Sequence, residues 1–389
     1  MTQIGQIYAD KTLTSTPLGG LGQGERLYMM GLTELKGVGD VLSRHLLQYF
    51  GSAEEVFKAK RLLLEKTPGI GAYTAEQIDL ARPEALRRAE KELAFIEKNK
   101  ITLYMITSDN YPRRLKECQD APVVFYYRGI VNLDAAKIIS IVGTRRMTEY
   151  GRKHTEVLIK ELAEIFPDVV IVSGLAYGVD VCAHRNALRN NISTLGVLAH
   201  GFDRIYPTAH RTIAAEMLAK GGLLTDFMSG TISVRENFLR RNRLIAGLAD
   251  ATIIIESAEK GGSLVTADIA FSYGRDVFAF PGRVTDMFSS GCNRLIQMNK
   301  AGLIASAKDL IMALCWDADA KATAPPSLFS FTEKPNHPII RLLQEKGEFQ
   351  VNQLAIDMDT AIHKLTPVLF ELEMEGHIKA FPGGIYRLS

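Results

Sequence analysis

From Ile101 to Leu314 the chain is written in short apolar runs separated by longer stretches of mixed polarity. The runs are "ITLYMIT", "VVFYY", "KIISIVG", "DVVIVSG", "STLGVLA", "GLLTDF", "ATIIIES" and "DVFAFPG". Most are rich in β-branched residues, and all are too short to be helices. They read as strands buried on both faces. Between them, helical periodicity begins near Thr148, Gly178, Thr208, Glu236, Ser263 and Gly291. This alternation predicts an α/β fold, a Rossmann-like, mostly parallel sheet over residues 100–315 with helices on both faces.

The flanks follow other patterns. Residues 1–24 are rich in Gly, Thr and Ser without a period and are expected to form a loose tail. Residues 25–99 are helical throughout, and within them "LKGVGDVLSRHLL" and "TPGIGAYTAEQI" echo each other. Each places two glycines around one apolar residue directly before a helix. Glycine permits the tight turn, and the helix's first amides could hold a phosphate. The pair resembles a tandem helix-hairpin-helix (SAM-like) domain; each hairpin alone could equally be a turn between packed helices. This segment carries 12 Lys and Arg against 12 Asp and Glu, so no basic face is evident. Residues 316–336 read as a linker. Residues 337–389 give three helices and a terminal hairpin with a Gly-Gly turn, the pattern of a winged helix-turn-helix.

Composition changes this picture little. A chain of 389 residues with 47% apolar and 23% charged residues is an ordinary globular protein of two or three domains. No apolar run reaches the ~18 residues that suggest a membrane span, and the N-terminus lacks the pattern of a signal peptide. Cys118, Cys182, Cys292 and Cys315 are scattered, with no metal-binding or disulfide spacing, which fits a reducing cytosol. The net charge is only +2, so any positive field for a polyanion must be local.

Candidate chemistry lies in the loops at the carboxyl ends of the strands, where open parallel sheets bind ligands. Gly143, Thr144, Arg145 and Arg146 leave one strand without the dinucleotide-binding glycine fingerprint. Small residues beside two guanidiniums suit a phosphate, although a strand-to-helix turn with solvated arginines explains them as well. Ser173 and Gly174 end a second strand. Asp180 and His184 follow one helical turn apart; with no further ligand nearby they read as a hydrogen-bonded structural pair, and no metal or cofactor is expected. A third loop leads into "RENFLRRNRLIAGLAD", where four arginines and one glutamate occupy residues 235–243. Phe238, Arg240, Arg241, Asn242 and Arg243 are placed at the same rim, with Leu244, Ile245 and Leu248 anchoring the helix to the sheet. The fourth loop carries Lys260, Gly261, Gly262 and Ser263. Phosphate donors beside the stacking ring of Phe238 are what single-stranded nucleic acid requires.

These residues fall in motifs that resemble the DNA-processing protein A family (DprA, also called Smf), single-strand DNA-binding proteins of bacterial natural transformation. "SDNYPRRLKECQDAPVVFYYRG", "IVGTRR", "SGLAYGVDVCAH", "GFDRIYP", "ENFLRRNRLIAGLAD", "ESAEKGGSLVTADIAFSYGRDVFAFPG" and "GCNRLIQMNKA" occur in family order. The family phrase has a proline after its Phe, where this chain has Leu239. The resemblance implies a cytoplasmic, non-enzymatic homodimer that binds single-stranded DNA, protects it and delivers it to the RecA recombinase. Carried over by motif, the phosphate-binding positions are Gly143, Thr144, Arg145, Ser173, Gly174, Arg241, Asn242, Gly262 and Ser263, with Phe238 for base contact. The rival is a Rossmann-like nucleotide phosphoribohydrolase. Its Gly-Gly loop carries a leading proline, a third glycine and a catalytic glutamate; around Gly261 and Gly262 the proline and the third glycine are missing, no glutamate stands at the matching place, and Asp268 reads as a helix-surface carboxylate. A third reading, a sequence-specific transcription factor, rests on the C-terminal unit alone.

Overall fold

The computed structural model describes residues 22–316, 337–374, 377–381 and 384–388. Residues 1–21 and 317–336, which include nearly all of the expected tail and linker, lie outside the described residues, as do Glu375 and Gly383. The chain divides into two compact units, Met1–Leu310 and Ile311–Ser389.

The first unit opens with five helices, α1 (Gln23–Leu32), α2 (Asp40–Phe50), α3 (Ala53–Lys58), α4 (Arg61–Leu64) and α5 (Ala72–Lys98). The repeated glycines explain two of the helix starts. Gly37 and Gly69 adopt φ of +77° and +87°, a left-handed conformation that glycine enters without steric cost. Gly39 and Gly71 are then the N-caps of α2 and α5. The residues between them, Val38 and Ile70, point into the core.

The α/β part follows as β1 (Thr102–Met105), α6 (Arg113–Lys116), β2 (Val124–Gly129), β3 (Ile138–Val142), α7 (Glu149–Ile165), β4 (Val170–Ser173), α8 (Val179–Arg189), β5 (Ser193–Val197), α9 (Arg211–Lys220), β6 (Gly222–Thr225), α10 (Arg235–Leu248), β7 (Ala251–Ile254), α11 (Gly262–Ser272), β8 (Asp276–Ala279), α12 (Ser290–Gln297), β9 (Gly302–Leu303) and α13 (Ala307–Ala313). All eight apolar runs are strands. The ninth, β9, is only two residues long and too short to show a pattern. The sheet order is β1-β2-β6-β5-β4-β3-β7-β8-β9. Every pairing is parallel except those of β2 with β1 and with β6. From β3 the chain steps outward to β6, then returns across β3 to β7. The carboxyl ends of β3 and β7 therefore flank a switch in winding direction, where such sheets open a crevice.

Two buried arginines fix this framework. Arg114 of the "YPRRL" segment grips Asp250 with two bonds of 2.6 and 3.0 Å and also donates to the carbonyls of Ala135 and Ala136. The same carboxylate accepts the Ile138 amide at the start of β3. Arg243 of α10 reaches Asp226 at 2.5 Å and Asp40 at 2.9 Å and donates to the Asp120 carbonyl. Asp226 follows β6, and Asp40 opens α2, so one guanidinium joins sheet, crossover helix and helical module. Burial pushes the Asp40 carboxyl up, against the pull of Arg243.

A second tie comes from α5. The buried carboxylate of Glu92 accepts the amide of Ser229 at 2.9 and 3.0 Å and also its hydroxyl. Arg88 donates to the carbonyl of the same residue. The loop between β6 and α10 is thus held by a helix more than a hundred residues earlier in sequence.

The second unit contains α14 (Pro338–Lys346), β10 (Glu348–Gln350), α15 (Val351–Asp357), α16 (Ile362–Met374), β11 (Ile378–Phe381) and β12 (Ile385–Leu388). Its strands form an antiparallel sheet in the order β10-β12-β11 around a core that includes Ile340, Leu343, Leu354 and Leu369. The three helices and terminal hairpin expected for this segment are present, together with the short β10.

Removing Arg243 would leave the buried Asp226 and Asp40 with only the half-exposed Arg240, 3.3–3.4 Å away, as a cation. Arg243→Met is expected to lose about 3–5 kcal/mol of stability, seen in chemical denaturation as a lower midpoint at an unchanged slope.

Candidate nucleic-acid interface

Helix α10 separates its arginines onto two faces. Arg240 and Arg243, three residues apart, both face Asp226 and Asp40. Phe238 and Arg241, also three apart, face the rim. Residues at this spacing share one side of a helix. Arg243 is 7% exposed and fully engaged in ion pairs. It is therefore a structural pin, a correction to its placement among the rim residues. Arg240 is half exposed, lies 3.3–3.4 Å from the same two carboxylates and stacks over Phe227.

At the rim the arrangement is different. The Arg145 guanidinium lies 5.0 Å from the centre of the Phe238 ring, and that of Arg241 lies 5.9 Å from it. Tyr206 meets the ring edge-on with centroids 5.9 Å apart. Arg241 is only 3% exposed, yet its Nε and Nη1 have no hydrogen-bond partner among the described residues. Its guanidinium packs on Gly174, where any Cβ would collide with Nη1. Burial lowers its pKa to about 10, with Asp180 opposing the change and Arg145 adding to it. Arg241 therefore stays charged at neutral pH. Two like charges share one ring, and among the described residues neither forms an ion pair.

The surrounding backbone is fixed by bonds within the protein. The Thr144 amide donates to the Glu256 carbonyl at 2.8 Å, and the Thr144 hydroxyl accepts the Arg146 amide at 3.1 Å. Glu256, at the end of the "IIIES" run, caps α7 by accepting the amide and hydroxyl of Thr148. Gly178, at φ +79°, approaches so near the Thr144 carbonyl and Arg145 that a side chain has no room. These contacts aim Arg145 at Phe238. Ser173 is fully buried and donates to the Ile141 carbonyl at 2.6 Å, so its hydroxyl does not reach the rim.

The structure brings Gly174, Arg145, Phe238 and Arg241 together, with Gly143 and Thr144 at the base of the same loop. Arg146 is exposed beside them, and Asn242, directly after Arg241 in α10, is partly buried. The fourth loop follows β7. There Ser263 donates to Ser257 at 2.8 Å, and the Gly261 amide turns back to the Ala258 carbonyl at 2.9 Å. Lys260 and Gly262 are exposed. Asp268 lies on the outer face of α11, paired with Lys300 at 2.6 Å.

Asp180 and His184 do not bond to each other. Asp180 accepts the Ala176 amide at 3.4 Å. Thr194 donates its hydroxyl proton to the Ile171 carbonyl, so it accepts from Nδ1–H of His184. That leaves His184 Nε2 as a bare buried acceptor. Among the described residues no cluster suited to a metal ion occurs. His200 places the remaining aromatic: its Nδ1–H donates to the Gly201 carbonyl, and Nε2 accepts the Tyr206 amide at 3.1 Å. Tyr206 was absent from the sequence-derived set; the signal was its place in "GFDRIYP".

Residues 102–315 match the family model described as DNA recombination-mediator protein A. The chain belongs to that family. Residues 29–81 separately match the SAM-like helix-hairpin-helix tandem. Among DNA recombination-mediator A relatives, Protein Smf of Synechocystis is 34% identical over 76% of this chain and 74% of its own length. Protein Smf of Escherichia coli is 32% identical over 83% of this chain and 89% of its own. The X-ray structure of DNA processing protein A from Streptococcus pneumoniae superposes with a TM-score of 0.63 at 31% identity, covering 74% of this chain and 97% of that one. A Helicobacter pylori DNA processing protein A, whose structure addresses its single-stranded DNA binding mode, gives 0.50 at 32% identity over 56% of this chain and 97% of its own. The family match covers every candidate site residue.

His184 provides a pH test. Burial, aided by Arg241 and His210, lowers its pKa from 6.5 to about 3. The folded protein keeps the ring neutral while the unfolded chain takes up a proton below 6.5. Its contribution to stability is complete above pH 6.5 and is lost as pH falls toward 3. The loss over that window should be on the order of 5 kcal/mol, measured by denaturation at several pH values, and His184→Leu should flatten it.

Proposed function

We propose that this protein binds single-stranded DNA along the rim, with Phe238 stacking on a base and Arg145 and Arg241 holding the phosphates beside it. The observation that carries this reading is the like-charged pair on one ring. A buried guanidinium with two unpartnered donors is costly, and a second guanidinium alongside adds repulsion, so the arrangement calls for an anion. Each remaining piece suits a strand better than a free nucleotide. Aromatic faces accept any base, and arginines track any backbone. The Gly-Gly loop has no glutamate at the place matching the phosphoribohydrolase's catalytic one, and the Lys300 partner of Asp268 supports a surface role for that carboxylate. The reading is therefore a binding protein and not an enzyme.

The wider role follows the family. A recombination mediator that shields a strand and passes it to the RecA recombinase during natural transformation, acting as a homodimer, is consistent with the family match. Unpaired thiols at Cys118, Cys182, Cys292 and Cys315 fit the cytosol.

The first test compares single- and double-stranded DNA at two salt concentrations. Single strands should bind more tightly, with affinity falling steeply as salt rises because arginines displace counterions. Arg241→Met should abolish most of this binding without the loss of stability expected for Arg243→Met. Phe238→Ala should cost roughly 1–3 kcal/mol of affinity. Equal affinity for the two DNA forms would count against the reading.

The C-terminal unit has the element order of a winged helix, but its charge opposes DNA contact. Residues 338–389 hold five Lys and Arg against seven Asp and Glu. Glu371 and Glu373 lie on α16, where Phe370 is 63% exposed, and Ile356 of α15 is 71% exposed. Exposed apolar residues beside acids suit a protein contact. Deleting residues 317–389 should leave single-strand affinity within about twofold while impairing delivery to the recombinase, read by binding and strand-exchange assays.

A further inference from the structure

Arg145 and Arg146 border more than the rim. Behind them a cavity of about 310 Å³ lies between α7 and α8, lined by Arg145, Arg146, Arg152, Arg185 and Arg189 against one acid, Glu156. A second cavity of about 510 Å³ shares Arg185 and Arg189 and reaches Lys220 at the end of α9, with Glu216 as its one acid. Together they make one basic groove that starts at the rim and runs down the outer surface of the helices.

The rim reading does not account for Arg152, Arg185 and Arg189. Arg185 and Arg189 are exposed, and among the described residues neither forms an ion pair. They stand one turn apart on α8, a separation of about 6 Å along the helix, which suits neighbouring phosphates of an extended strand. Arg152 is also exposed and is tied only to the highly exposed Glu149 at 3.3 Å. The floor is Val181, Cys182 and Asn186, and no aromatic ring lines either cavity. A charged groove without a stacking platform can hold a backbone but cannot hold bases.

We propose that the α7–α8 groove is a second subsite that carries the sugar-phosphate backbone of the bound strand away from Phe238, with the bases turned outward. The proposal rests on the rim reading, because Arg145 belongs to both surfaces. It commits the strand to one exit direction, from Arg145 past Arg185 to Arg189.

The test uses the full chain and three ligands: an oligothymidylate of about five nucleotides, one of about twenty, and the short one extended to the same length by abasic residues. These lengths bracket the site size of single-strand binders, about 4–16 nucleotides. In wild type, both long ligands should bind more tightly than the short one. The variant Arg185→Gln/Arg189→Gln, exposed at both positions and checked for unchanged melting, should erase roughly tenfold of that gain. Its salt dependence on the long ligands should be shallower by about 1.4, for two lost single-strand phosphate contacts. Its affinity for the short ligand should not change. Equal behaviour of variant and wild type on the long ligands would overturn the groove and leave the rim reading intact. Equal weakening on short and long ligands would overturn it too, since the groove would then be no separate subsite. A gain that needs bases, absent from the abasic extension, would refute the backbone assignment. Failure of the wild type to bind any of the three would overturn the rim reading and the groove together.

Discussion

One guanidinium decides which face of α10 looks onto the rim. Arg243 is held by Asp226 from the sheet and Asp40 from the helical module, with a further bond to the Asp120 carbonyl. Because it is anchored on that side, α10 cannot rotate about its axis, and the face carrying Phe238 and Arg241 must look toward the strand ends. Neighbouring arginines therefore acquire opposite roles. The one with carboxylate partners organises the fold, and the one two residues earlier is left charged, buried and without an anion of its own.

The glycines of the α/β part complete that geometry by omission. Gly174 leaves space for the Arg241 guanidinium, and Gly178 lets α8 approach the loop that carries Arg145. His200 and Glu256 act on the same region through their bonds to Tyr206 and Thr148. None of these groups needs to touch a ligand. Their shared effect is a rim whose side chains are already oriented before anything binds, so little ordering is required on association.

The strands and helices of the α/β part were legible because buried parallel strands leave unbroken apolar runs. The paired glycines of the helical module were legible because the turn requires them. Two things were not. Arginines at 240, 241 and 243 look alike in a linear pattern, and only the partners supplied by Asp40 and Asp226, far away in sequence, tell them apart. Tyr206 was also overlooked, because a single exposed aromatic in a loop carries no periodic signal. Its position depends on a histidine six residues earlier whose role appears only in three dimensions. Ser173 shows the opposite error: a small hydroxyl residue at a strand end looked like a phosphate donor, but its hydroxyl turns inward to the Ile141 carbonyl.

The bond between Glu92 and Ser229 changes what the helical module is for. Its first hairpin offers Asp40, not a free helix terminus, and its longest helix clasps the loop that feeds α10. The module works as a splint for the α/β domain. Amino-acid changes along α5 can then reach the rim through Ser229 and the loop that feeds α10, so genetic lesions in the module will mimic lesions of the site itself.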